Sequence, residues 1–250
     1  MVKIRILVTG AAGLYGFHAV QELVDDKNVS KVIGIDNFSR NFLLNNHFDF
    51  LKDSKKKFEL IKEDFISLSK EKIDSMELDA IIHFAAFVSI DESMINPQKY
   101  FKNNEEGNFK FCQELLKSHS QPSVIYASSP EVYGNPIKIP MDELHPLNPR
   151  SVYAVTKVAA EKHFMSLFEW YSYPVNVIRN FNTFGENQNI WSYSAAIPAF
   201  IQKALKNETI PITGNGQQSR DFLYIKDAVK AYSTLLVKKE KIKGQIFNIG

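Results

Sequence analysis

The chain has 250 residues, 44% hydrophobic and 12% aromatic, enough apolar side chain to bury a sizeable core and to exclude disorder as its main state. Its 30 Lys and Arg stand against 28 Asp and Glu, a formal net charge of +2, so no bulk field draws it to nucleic acid or to an anionic membrane. The lone Cys112 excludes an internal disulfide, the opening MVKIRILVTG has no secretory-signal pattern, and no run approaches the roughly 20 apolar residues of a spanning helix, so a cytoplasmic protein is expected.

Short β-branched runs alternate with amphipathic stretches, the pattern of a parallel sheet covered by helices on both faces, and a doubly wound α/β fold is expected. Residues 4–8 read as the first strand. A turn with Gly10 and Gly13 then feeds a helix whose Leu14, Phe17, Val20, Leu23 and Val24 recur at helical spacing. Further strands are expected at 31–35, 58–61, 80–84, 123–127 and 175–178, with helices near 100–116 and at 152–171. From Phe181 the alternation breaks around Pro198, Pro211, Gly214 and Gly216, and apolar runs resume at 221–225 and 245–249. Residues 1–180 and 221–250 are therefore assigned to a dinucleotide-binding domain and 181–220 to part of a substrate-binding domain. The chain stops at Gly250 directly after an apparent strand and without a closing helix, which reads as a truncation.

Gly10, Gly13 and Gly16 fall at a strand-to-helix junction, where backbone amides and the helix dipole meet a pyrophosphate. Glycine there allows the tight turn, the approach of the phosphate and the close seating of the helix. Asp36 ends the second strand 20 residues beyond Gly16, where a carboxylate can accept both ribose hydroxyls of NAD and repels a 2′-phosphate. Arg40 nearby would suit that phosphate, but the carboxylate favours NAD. Asp64 and Phe65, after the third strand, either flank the adenine or belong to an ordinary loop.

Tyr153 and Lys157, four residues apart, share one face of the helix 152–171. A phenol with a reference pKa of about 10 is a poor base at neutral pH, and a neighbouring ammonium favours its ionised form. Ser129 closes a buried strand at the edge where open sheets bind ligands, and can bond both a substrate hydroxyl and the phenolate.

With these residues in order, the sequence resembles the extended short-chain dehydrogenases/reductases of the nucleotide-sugar epimerase and dehydratase family. TGAAGLYG (9–16) matches the phosphate turn, HFAA (83–86) a fourth-strand segment, SSPEVYG (128–134) the serine loop and NPRSVYAVTK (148–157) the start of the catalytic helix. RNFNTFG (179–185) and GNGQQSRDFLYIKD (214–227) match substrate-binding segments. The resemblance implies a Rossmann-type sheet, NAD as cofactor and a nucleotide sugar, with a UDP-hexose expected, as substrate. Tyr153 would take a proton from a sugar hydroxyl while hydride leaves the same carbon, with Lys157 and Ser129 in support.

Leu14, Tyr15, Asn37, Phe84, Ala85, Ala86 and Asn104 would join the cofactor site. Ser89, Asn182, Arg220 and Tyr224 would join the substrate site. The matching dehydratases carry Thr-Asp-Glu where this chain has Ser129-Pro130-Glu131, which disfavours elimination. Glu131 also matches a glutamate of UDP-glucuronate decarboxylases, so decarboxylation stays open. Asn180 and Glu186 replace the tyrosine and proline usual in 4-epimerases. A 4-epimerase is the expectation, with a decarboxylase or 4,6-dehydratase as rival and a non-catalytic NAD-binding regulator as a rival of another class.

The resemblance also implies a homodimer through the helices 101–116 and 152–171. The six histidines and Cys112 show no metal-ligand spacing, so no metal is expected. Trp170, Tyr171 and Tyr173 read as packing residues rather than a nucleic-acid platform.

Overall fold

The computed structural model describes residues 3–40, 57–188, 195–212, 214–238 and 241–250. Seven strands form one parallel sheet: β1 (Ile4–Thr9), β2 (Val29–Asp36), β3 (Phe58–Lys62), β4 (Ala80–His83), β5 (Ser123–Ser128), β6 (Val175–Asn180) and β9 (Ile246–Ile249). Their order is β3-β2-β1-β4-β5-β6-β9, so the strand order reverses between β1 and β4 and opens a crevice beyond their carboxyl ends. The doubly wound reading of the sequence holds. Each strand predicted from residue 4 to residue 178 is present, and the last apolar run adds a seventh, β9 (Ile246–Ile249), beside β6.

Side-chain alternation builds the two covering layers. Ile6, Val8, Val32 and Ile82 point to one face, where they pack with Phe17, Val20 and Leu23 of α1 (Leu14–Asp25) and with Tyr232 and Leu236 of α8 (Ile225–Lys238). Leu7, Ile33, Ile81, Val124 and Val177 point to the other face. There they meet Phe111 and Leu115 of α5 (Gly107–Lys117) and Ala160 and Phe164 of α6 (Val152–Tyr171). Both β5 and β6 are buried along their whole length, as strands covered on both faces must be.

Shorter helices α2 (Lys70–Ser75), α3 (Ile90–Ile95) and α4 (Pro97–Tyr100) fill the crossovers. The helix expected near 100–116 is not uniform, because Phe101–Glu106 is wound as a π-helix before α5 begins.

A second, two-stranded parallel sheet joins β7 (Asn182–Phe184) to β8 (Phe222–Tyr224), with α7 (Ala196–Leu205) between them in sequence. The predicted division at residue 221 puts β8 with the large sheet. Its ladder partner is β7, and the chain returns to the large sheet only through α8 and β9. Of the three aromatics expected to pack, Tyr173 is buried, whereas Trp170 is 81% and Tyr171 65% exposed. These two stand on the outward side of the last turn of α6, while Leu167 and Phe168 on its other side pack into the core. No helix among the described residues is long and apolar enough to cross a membrane, and those residues contain no cluster of three or more metal-ligating side chains.

Candidate active site

A cavity of about 620 Å³ opens where the strand order reverses, walled by the ends of β1, β2, β4, β5 and β6. Its floor is the turn after β1. Gly10 has φ +67°, and a Cβ there would lie 2.8 Å from the Ala85 nitrogen, so the turn and the strand-4 loop can touch only with glycine at this position. A Cβ at Gly16 would lie 2.1 Å from the Gly10 carbonyl oxygen, so α1 can sit this close to the turn only without one. Gly13 occupies the N-cap of α1 without a side-chain cap, which leaves the amides of the first turn facing the cavity with Leu14, Tyr15 and Gly16.

Asp36 closes β2 against this turn. Its Oδ2 accepts from the Ala12 amide at 2.9 Å and its Oδ1 from the Phe38 amide at 2.7 Å. Burial raises its pKa, and the two amides oppose that shift by favouring the carboxylate. Asn37 donates from Nδ2 to Asp64 Oδ2 at 2.8 Å, and Asp64 and Phe65 line the same wall. A glycine cradle that a Cβ would fill, a helix N-terminus and a ribose-height carboxylate therefore fit a dinucleotide.

The opposite wall carries Tyr153, Lys157 and Ser129, the three residues expected to be catalytic. Ser151 caps α6 by accepting from the Ala154 amide at 3.1 Å, which fixes the first turn that presents Tyr153. Tyr153 is 6% exposed. Burial is the main reason its phenol is pushed up to about 12, while the Ser129 hydroxyl and Arg40 draw it down and Glu131 pushes it up. Lys157, one turn on, donates from Nζ to the Ala127 carbonyl at 2.8 Å, and burial pushes its ammonium down to about 7. Ser129, directly after β5, accepts from the Glu131 amide at 3.3 Å and faces the cavity with Pro130 and Glu131. Ser89 caps α3 by accepting from the Glu92 amide at 3.1 Å and also lines the wall.

Phe84, Ala85 and Ala86 line the cavity, and a buried hydrogen-bond chain holds their loop in place. His83 Nε2 donates to Asn108 Oδ1 at 2.8 Å, and its Nδ1 accepts from Thr9 Oγ1 at 2.6 Å. The Asn108 amide nitrogen, donating to the Asn104 carbonyl at 2.7 Å, fixes these roles. The ring is neutral, since burial drives its pKa down to about 3.

Asn104, expected to touch the cofactor, does not line the cavity. It is fully buried, donates to the Phe87 carbonyl at 2.8 Å and accepts from the Phe87 amide at 2.9 Å, while its neighbour Asn103 faces the cavity. The π-helical turn carries it inward, and no apolar periodicity signals such a turn.

Asn182 lines the cavity, with its amide and its Nδ2 both on the Asp221 carbonyl, at 3.2 and 3.1 Å. Arg220 and Tyr224 lie outside the lining. The exposed Arg220 donates from Nη1 to the Ser219 carbonyl at 2.7 Å, and its charge reaches Glu131. Tyr224 donates to Glu186 at 2.8 Å. Thr183 is a lining residue that sequence reasoning missed, and its hydroxyl is hydrogen-bonded to the Tyr15 phenol. Its place two residues after Phe181, on a strand too short for periodicity, left no signal.

The description "NAD dependent epimerase/dehydratase family" matches residues 6–250. A human dTDP-D-glucose 4,6-dehydratase is 32% identical over 248 residues, covering 98% of this chain and 69% of its own length. The UDP-N-acetylglucosamine 4-epimerase of Methanobrevibacter ruminantium M1, solved with UDP-N-acetylmuramic acid, superposes with a TM-score of 0.86 at 32% identity, over 100% of this chain and 77% of its own. The UDP-glucuronic acid 4-epimerase of Bacillus cereus, solved with UDP-glucuronic acid and NAD, gives 0.86 at 27% identity, over 99% and 77%.

Proposed function

The chain belongs to the NAD-dependent epimerase/dehydratase family, with NAD as its cofactor, and from that premise we propose that it is a nucleotide-sugar 4-epimerase acting on a UDP-hexose. The observation that carries this reading lies in the loop after β5. Ser129 and Pro130 face the cavity beside Tyr153 and Lys157, so base, hydroxyl and ammonium converge while residue 130 has no proton to give a leaving hydroxyl. The chain thus has what is needed to oxidise and re-reduce one carbon, and lacks the acid that the matching dehydratases carry.

Gly10, Gly13, Leu14 and Gly16 would hold the NAD pyrophosphate, and Asp36 its adenosine ribose. Bound there, NAD supplies the two-electron acceptor and later donor. Tyr153 Oη accepts the proton of the sugar 4-hydroxyl and returns it after the 4-keto sugar has presented its other face. Lys157 favours the phenolate by charge, and Ser129 Oγ bonds the same substrate oxygen. Asn182 would contact the sugar or diphosphate. Arg220, whose charge already reaches Glu131, would swing onto the diphosphate, a task suited to a planar guanidinium fork. Residues 181–220 are read as part of the substrate-binding domain, and the enzyme as a cytoplasmic homodimer.

A second reading, decarboxylation of a UDP-uronate or elimination, is favoured by Glu131. This carboxyl lines the cavity, and burial raises its pKa. Proton NMR of the protein with NAD and, in parallel, UDP-glucose, UDP-N-acetylglucosamine and UDP-glucuronate separates the two. Inversion at carbon four with the skeleton intact is expected; a pentose or a 6-deoxy-4-keto sugar would replace the proposal by the second reading.

A further inference from the structure

Glu161 lies four residues beyond Lys157 on α6, hence on the same side of the helix. Its side chain is 1% exposed and that of Arg179, on β6, 3%. Arg179 grips the carboxylate with two prongs, Nε to Oε1 at 3.0 Å and Nη2 to Oε2 at 2.7 Å. Ser128 Oγ donates to the same Oε1 at 2.5 Å. Consecutive residues at the end of β5 are therefore held from one helix, Ala127 by Lys157 and Ser128 by Glu161, immediately before Ser129.

This arrangement pairs one buried carboxylate with Arg179 and sets it within electrostatic reach of the buried Lys157 one turn back. A guanidinium–carboxylate pair serving the fold alone contributes little over apolar residues of the same volume, because two charges must be desolvated. The groups around Lys157 are Tyr153 on its own helix, the Tyr126 ring on β5, 4.8 Å from Nζ, and His83 on β4. In the NAD-free protein His83 is neutral and burial favours the protonated form of both phenols, so Glu161 is the anion that the described residues set against the ammonium.

We propose that Glu161, locked by the Arg179 fork, is a positioning residue that keeps Lys157 charged in a dry site and sets the end of β5 so that Ser129 and Tyr153 face the same substrate oxygen. This rests on the reading that Tyr153 and Lys157 work together on a proton.

The test is the titration of the Lys157 ε-carbon by carbon-13 NMR in the NAD-free protein, with the signal assigned by its loss in Lys157→Arg. Glu161→Gln is expected to lower the midpoint by about one pH unit or more, tenfold in the ionisation constant, and Arg179→Met to raise it by about half a unit or more. Opposite signs are what a merely structural pair would not produce. A midpoint unmoved in folded, NAD-binding Glu161→Gln overturns the proposal, and so does a fall in Arg179→Met, which decides alone should the glutamine variant not fold.

With the sugar that is turned over, the alkaline limb of kcat should move down with the Lys157 midpoint in Glu161→Gln while KM stays within about twofold. A limb that stays in place overturns the catalytic half of the proposal. The titration needs no sugar, so failure of the epimerase reading leaves it legible.

Discussion

The two ends of the cavity are built differently. At the cofactor end, Thr9 and His83 are fully buried at the tips of neighbouring parallel strands, and the chain of bonds through Asn108 and Asn104 to Phe87 leaves each backbone one position. At the end proposed for the substrate, two three-residue strands and the residues just before the second carry the side chains proposed to recognise it, which bond to their own neighbourhood: Asn182 to Asp221, Arg220 to Ser219, Tyr224 to Glu186. A dinucleotide is the same molecule in every turnover and suits a wall set by the strand ends of one continuous sheet. Differing sugars suit side chains that can be re-aimed at small cost.

The largest effect should come from the boundary between the two ends. Tyr153→Phe is expected to lower kcat by roughly 1,000-fold while NAD affinity stays within about twofold, measured by turnover and by fluorescence titration. Wild-type turnover in that variant would remove Tyr153 from the chemistry. Gly16→Ala puts a Cβ 2.1 Å from the Gly10 oxygen, and a loss of about 3 kcal/mol or more in urea denaturation is expected, with NAD binding lost alongside.

The cofactor end also sets a pH limit. The folded-state pKa of His83, about 3, lies below its unfolded value of 6.5, so the unfolded chain binds the extra proton between these values. Stability is therefore fully present above pH 6.5 and lost as the pH falls toward 3, with roughly 3 kcal/mol of that loss by pH 4. Urea midpoints from pH 7 to 4 should show the loss in the wild type and a flatter profile in His83→Gln.

Asp36→Ala should weaken NAD by about 10- to 100-fold and narrow its advantage over NADP, both read as dissociation constants. The smallest effect belongs to the substrate end. Arg220→Ala should change stability by less than about 0.5 kcal/mol, because the side chain is exposed and its bond among the described residues is to its neighbour's carbonyl. If it grips the diphosphate, KM for the nucleotide sugar rises with little change in kcat.

The cofactor end was largely legible before folding was considered. A glycine turn, a carboxylate at a strand end and a Tyr-x-x-x-Lys pair are local patterns, and a parallel sheet returns local patterns to one edge. Asn104 was not legible, because a π-helical turn shifts which side chain faces the cavity by one position, to Asn103. Nor was β8, whose three residues are too few to show which sheet they would join. Trp170 and Tyr171 misled because an aromatic side chain does not by itself say which side of its helix turns away from the sheet.

What the sequence by itself determined is the run of strands from residue 4 to residue 178, the phosphate turn, and the placing of Tyr153 and Lys157 on one side of one helix, since each depends on spacing along a few residues. Only the tertiary structure decided that Glu161 meets Arg179 and Ser128, that His83 stays neutral, and that Arg220 and Tyr224 stand outside the cavity wall. Those are matters of burial and of contacts across long stretches of chain, and burial is what sets the charge of a side chain and the cost of moving it.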